Sequence, residues 1–175
     1  MRNSNSFVDD LIGGIDRSLK TLTGGHIGTR PNPGADQQEP ELSDEERKHV
    51  AGLMRVNHAG EICAQALYEG QALTAKTVSA KESLLHAAGE EQDHLSWCRQ
   101  RLDQLDARAS IFDPLFYGAS FALGMGAGLL GDRISLGFVE ATEDQVVMHL
   151  EEHLATLPEQ DGKSRMILEE MRADE

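Results

Sequence analysis

Two cysteines, Cys63 and Cys98, are all that the 175-residue chain holds. They stand far apart, so they can build neither a disulfide framework nor a close-paired redox or zinc motif. Each is expected to serve as a small buried apolar side chain in a reducing cytoplasm. Aromatic residues are scarce, at 5%. Basic side chains are outnumbered, sixteen against thirty acidic ones, for a formal charge of -14. That balance excludes nucleic acid as a partner and removes polybasic attraction to anionic lipid, so any membrane contact has to be hydrophobic. Long apolar runs are missing as well, and none reaches the roughly 18 residues of a spanning helix. The N-terminal apolar stretch is interrupted by Asp9 and Asp10 and lacks a small-residue cleavage site, which speaks against a signal peptide. No glycine-rich dinucleotide fingerprint follows a strand, so a nicotinamide domain is not expected.

What is present is helical periodicity, with no strand pattern in competition. Phe7, Val8, Leu11, Ile12, Ile15, Leu19 and Leu22 recur at helical spacing and predict a short amphipathic helix. A breaker-rich stretch through Gly24, Gly28, Pro31, Pro33 and Pro40 follows it. Residues 1–42 are thus read as an N-terminal amphipathic segment and flexible linker, and residues 43–175 as the folded domain. Ser43 with Glu46 forms a capping box that opens a helix running to about residue 77. Ser79 with Glu82 repeats the signal for a second helix. Asp113 and Pro114 read as N-cap and first residue of an apolar, glycine-rich segment, Leu115 to Gly131. Leu136 through Leu157 mark a fourth helix stopped at Pro158, and Ile167, Leu168 and Met171 begin a fifth.

Most of the thirty acidic residues belong on solvated faces, as Glu151 and Glu152 do, but four share the apolar stripe of their helix. Glu61 lies seven residues from both Met54 and Tyr68; Glu91 lies between Ala88 and Leu95; Glu143 lies four residues from Val139 and Val147; Glu175 lies four from Met171. Ionised carboxylates in an apolar interior each cost several kcal/mol, and no lysine or arginine on those stripes compensates them. Two divalent cations would balance the four charges, and oxygen-rich ligation with imidazole suits iron or manganese. His94 supplies that imidazole, because Glu91 and His94 form Glu-x-x-His on one helix face. Glu61 to Glu91 spans thirty residues and Glu143 to Glu175 thirty-two. That repeat is expected of two helical hairpins each giving a lone Glu and then Glu-x-x-His, as in four-helix di-iron carboxylate bundles. The second histidine would fall three residues beyond Glu175, so the domain is expected to be C-terminally incomplete. Among the remaining histidines, His58, His86, His149 and His153 are read as surface or ligand-supporting groups, with His149 nearest the ligand face. Tyr68 and Trp97 are read as packing residues with a polar edge.

From about Leu42 onward the chain resembles the ubiquinone-biosynthesis hydroxylases that act on demethoxyubiquinol, a ferritin-like di-iron family. The resemblance is carried by Leu53-Met54-Arg55-Val56-Asn57-His58-Ala59-Gly60-Glu61, Glu90-Glu91-Gln92-Asp93-His94-Leu95-Ser96-Trp97-Cys98, Gly131-Asp132-Arg133-Ile134-Ser135, Thr142-Glu143-Asp144-Gln145 and Met171-Arg172-Ala173-Asp174-Glu175. It implies an all-α, ferritin-like four-helix bundle with an extra apolar glycine-rich helical segment. It also implies two irons, with Glu61, Glu91 and His94 on one, Glu143 on the other, and Glu91 and Glu175 bridging. The implied activity is O2-dependent hydroxylation of a polyprenyl benzoquinol ring with electrons from an external reductant. The implied setting is peripheral, on the cytoplasmic face of the cell membrane, with membrane lipid and other quinone-biosynthesis proteins as partners. Two other readings of the same residues are a metal-free helical scaffold that binds quinone and a ferritin-like store or peroxide reductase.

Overall fold

The computed structural model describes residues 28–175 together with Gly13 and Thr21. The amphipathic helix expected from Phe7 to Leu22 falls outside the described residues. Among those described there are five helices and no strand: α1 (Asp44–Thr74), α2 (Val78–Gln104), α3 (Asp113–Leu130), α4 (Asp132–Thr156) and α5 (Gly162–Asp174). The architecture is the all-α, ferritin-like bundle that the resemblance implied, with α3 as the added glycine-rich helix.

The capping box of α1 forms as expected. Ser43 Oγ accepts from the Glu46 backbone N–H, and Glu46 Oε2 accepts from the Ser43 N–H at 2.8 Å. The helix stops at Thr74, three residues short of the expected end. The second helix is capped by Thr77 rather than Ser79, with Thr77 Oγ1 accepting from the Ala80 N–H at 3.2 Å. A tertiary partner explains the shift. Asp132, at the start of α4, accepts from the Lys76 N–H, the Thr77 N–H and the Thr77 hydroxyl, and so fixes the α1–α2 turn two residues earlier than local preference suggests. The expected N-cap Asp113 lies inside α3, while Phe112 occupies the cap position without a side-chain hydrogen bond. A single residue, Gly131 at φ 120°, separates α3 from α4. That left-handed backbone explains why glycine stands there.

Helix α1 is the centre of the molecule and packs against α2 and α3. Its approach to α3 is backbone on backbone: a Cβ added at Gly124 would strike the Leu67 carbonyl, and one at Gly70 would strike the Phe121 carbonyl. On the other side, Met54, Trp97, Leu102, Leu150, Leu154, Ile167, Leu168 and Met171 form the main core, which gathers α1, α2, α4 and α5. Helix α5 is only 13 residues long and marginal by itself, so tertiary contacts have to hold it. Asp161 caps it by accepting from the Ser164 N–H at 3.0 Å, and fully buried Arg101 of α2 binds Asp161 at 3.1 Å and the Ser164 hydroxyl at 2.9 Å. Residues 28–42 form no regular element, yet they are fastened to the bundle: Asp93 accepts from the Thr29 and Arg30 N–H groups, and Glu39 pairs with Arg101 at 2.8 Å.

Candidate metal centre

Helical spacing delivers four of the expected side chains to one place. On α1, Met54, Glu61 and Tyr68 follow one another at seven-residue steps and are all buried. On α2, Glu91 and His94 stand on one face, and Glu175 follows the last turn of α5. Ligand atoms of Glu61, Glu91, His94 and Glu175 all lie within 4.8 Å of one another. His94 Nδ1 is the hub, 3.4 Å from Glu91 Oε2, 3.5 Å from Glu61 Oε2 and 3.8 Å from Glu175 Oε1.

Glu143 stands outside this tight group. It is half-buried on α4, and it lines the same small pocket as Glu91, His94, Asp174 and Glu175. Burial and the charges of Glu90, Asp144 and Glu140 hold its carboxyl above the ordinary value.

The electrostatics are those of crowded carboxylates out of water. Burial and the Glu61 charge push Glu91 well above the usual carboxylate range. Glu61 goes the other way, because hydrogen bonding from Glu91 and His94 outweighs its own burial. Burial, with Glu61 next, lifts Glu175 to about 8. Burial opposes charge on His94, but Glu61 and Glu91 overcome it and raise the imidazole to about 12. Protons therefore offset the negative charge in this arrangement, and divalent cations could take their place.

The donor set fits such cations. Glu91 Oε2 and His94 Nδ1 are buried and have no hydrogen-bond partner among the described residues, although they face each other at 3.4 Å. Two donors bound at about 2.1 Å to one octahedral ion lie about 3 Å apart, close to the spacing seen here. Carboxylates with one imidazole favour iron or manganese over thiolate-seeking metals.

Two supporting residues escaped the sequence reading. Asp174 Oδ2 accepts from His94 Nε2 at 2.9 Å and from Arg30 Nη1 at 2.7 Å. Its carboxyl is depressed because hydrogen bonds from His94 and Arg30 overcome its burial, so it is an ionised acceptor. An ionised acceptor holds a proton on Nε2, so that Nδ1 is the nitrogen turned toward Glu61 and Glu91. Arg30 in turn lies 4.8 Å over the Trp97 ring. Asp174 adjoins Glu175 in sequence, but no periodicity marks it. Arg30 falls in the stretch read as linker, where nothing local signals a role.

The other histidines divide. His58 and His153 are buried, the first 3.4 Å from Asp113 and the second bonded to Asn57 at 3.0 Å. His86 and His149 are exposed, as are Glu151 and Glu152. Tyr68 and Trp97 are buried, as packing residues should be. The burial of Tyr68, followed by the charges of Glu91, Glu143, Glu175 and Glu61, drives its phenol pKa upward.

Residues 48–175 match the family described as ubiquinone biosynthesis protein COQ7. The chain belongs to the COQ7 family. Curated COQ7-like relatives carry the name 3-demethoxyubiquinol 3-hydroxylase. That of Ectopseudomonas mendocina (strain ymp) is 56% identical over 169 residues, covering 96% of this chain and 79% of the relative. That of Marinomonas sp. (strain MWYL1) is 55% identical over 172 residues, covering 97% and 81%. A third, from Pseudomonas aeruginosa (strain LESB58), is 54% identical over 169 residues, covering 96% and 79%.

Proposed function

We propose that this chain acts as its relatives are named, as a 3-demethoxyubiquinol 3-hydroxylase in ubiquinone biosynthesis, an O2-dependent monooxygenase working through two irons. The observation that carries the reading is the convergence of Glu61, Glu91, His94 and Glu175 ligand atoms within 4.8 Å in a buried setting. Glu143, on the rim of the same pocket, completes the carboxylate set. Irons held by these five residues would supply O2 activation and the one-electron changes that organic side chains lack.

The chain's own residues do the positioning. Asp174 fixes the His94 ring through Nε2 so that Nδ1 faces Glu61, Glu91 and Glu175. Arg30 holds Asp174 in that role. A cavity of about 250 Å³ between α1 and α4, lined by Val56, Asn57, Gly60, Glu61, Gln145, Val146 and His149, gives a ring-sized substrate a way to Glu61. It is more apolar than polar around Val56 and Val146, as suits a benzoquinol.

The isoprenoid tail of such a substrate lives in lipid, and α3 gives the chain an apolar side. Ile111, Phe112, Leu115, Leu123, Leu129 and Leu130 are all exposed around that helix. No helix among the described residues is long and apolar enough to cross a membrane, so the contact we propose is peripheral, on the cytoplasmic face of the cell membrane. Electrons come from an external reductant, and other quinone-biosynthesis proteins are the expected neighbours.

The test is metal analysis joined to an assay. Full-chain protein should bind about two irons. With O2 and a reductant it should hydroxylate a short-tailed demethoxyubiquinol, and it should float with liposomes. A folded protein that takes up no iron would leave only the metal-free scaffold.

A further inference from the structure

Tyr68 presents an unusual combination. Its side chain is wholly inaccessible to solvent, and its hydroxyl has no hydrogen-bond partner among the described residues. The ring lies in an apolar cluster with Ala64, Leu67 and Ala88, against which Ala87 and Val139 pack. Those neighbours place it. Ala87 is one helical turn before Glu91 and Val139 one turn before Glu143, while Tyr68 itself is two turns beyond Glu61. Glu61, Glu91, Glu143 and Glu175 all act on the phenol electrostatically. A hydroxyl left unpaired in the interior is costly, and purely apolar packing in that cluster would be met as well by phenylalanine. A phenol can donate one hydrogen bond, and the charged groups that act on this one are the four glutamates of the site.

We propose that Tyr68 is a positioning residue whose hydroxyl donates a hydrogen bond to a small oxygen or anionic ligand, water or hydroxide in the resting site, held on the metal pair. This rests on the di-metal reading of the cluster. Azide is a probe for such a ligand, because it binds exchangeable positions on ferric ions and gives an absorption band.

The experiment compares full-chain wild type with Tyr68→Phe. Both are loaded with ferric iron, assayed for metal, and titrated with azide by absorption. The expected result is unchanged iron content, azide affinity about tenfold weaker and a shifted azide band in Tyr68→Phe, with the thermal midpoint of the iron-free variant equal to or above that of wild type. Unchanged azide affinity and band would overturn the proposal while leaving the di-metal reading intact. A lower thermal midpoint without iron would overturn it too, since the hydroxyl would then have a protein partner. A wild type that takes up no iron would remove both the metal pair and this role for Tyr68.

Discussion

Asp174 and His94 are joined by a 2.9 Å hydrogen bond from the imidazole Nε2 to the carboxylate, across 80 residues of chain. This bond turns the other ring nitrogen toward the glutamates. Substituting Asp174→Ala should lower iron affinity about 10- to 100-fold with the helical content unchanged, read by competition with a chelator. Glu170→Ala removes only the exposed partner of Arg30 and should change affinity little. Equal losses in the two variants would show that Arg30, not Asp174, is the controlling group.

Glu143 separates the two halves of the metal proposal. Glu143→Ala should abolish hydroxylation and lower iron content, whereas Glu151→Ala, on the exposed face of the same helix, should leave both nearly intact. Elemental analysis beside product detection gives the answer. Retention of full iron in Glu143→Ala would confine the site to the four clustered residues.

The helix interface of α1 with α3 predicts opposite signs for two glycines on α3. Gly124→Ala drives a methyl into the Leu67 carbonyl, a backbone atom that cannot swing aside, and should cost about 2 kcal/mol or more. Gly126→Ala meets nothing within 4 Å and should stabilise by up to about 1 kcal/mol through helix propensity. Denaturant midpoints would reveal the contrast.

Much of this was legible in the sequence, and the reasons differ by residue. Glu61, Glu91 and Glu175 share strict helical spacing with Met54, Ala88 and Met171, so burial of those apolar neighbours carries the carboxylates inward. Glu143 obeys the same rule but ends half-buried, because α4 buries few of its residues, Ser135, Leu150, His153 and Leu154. Thr77 displaced Ser79 as a cap because of Asp132, and Asp174 finds His94 only through the docking of α5. Partners dozens of residues apart leave no local pattern to read.

Arg101 is the strut behind that docking. Its guanidinium, with no exposed surface, meets Asp161, Ser164, Glu39 and Gln104. Arg101→Met strands the buried Asp161 carboxylate and should destabilise by about 3 kcal/mol or more. Because Asp161 caps the helix that leads to Glu175, iron affinity should fall as well. Thermal melts and metal binding measured together would show whether the two losses travel as one.

His153 gives a pH dependence away from the metal cluster. Burial and the adjacent His149, whose ring is 4.3 Å away, lower its pKa below the ordinary value near 6.5. The unfolded chain therefore takes up a proton that the folded chain refuses. This contribution favours folding above about pH 6.5 and is lost as pH falls through the depressed folded value. Relative to wild type, His153→Gln should flatten the stability profile across that window while keeping a donor for Asn57. An unchanged profile would mean that His153 titrates alike in both states.

Helix α3 is built inside out. Gly124 and Gly128 face α1, where side chains would collide, and Leu115, Leu123, Leu129 and Leu130 are left exposed. That inversion governs how the protein behaves in a test tube: in plain buffer the molecules should cluster through this greasy flank as concentration rises, and a mild detergent should disperse them without disturbing the helical core.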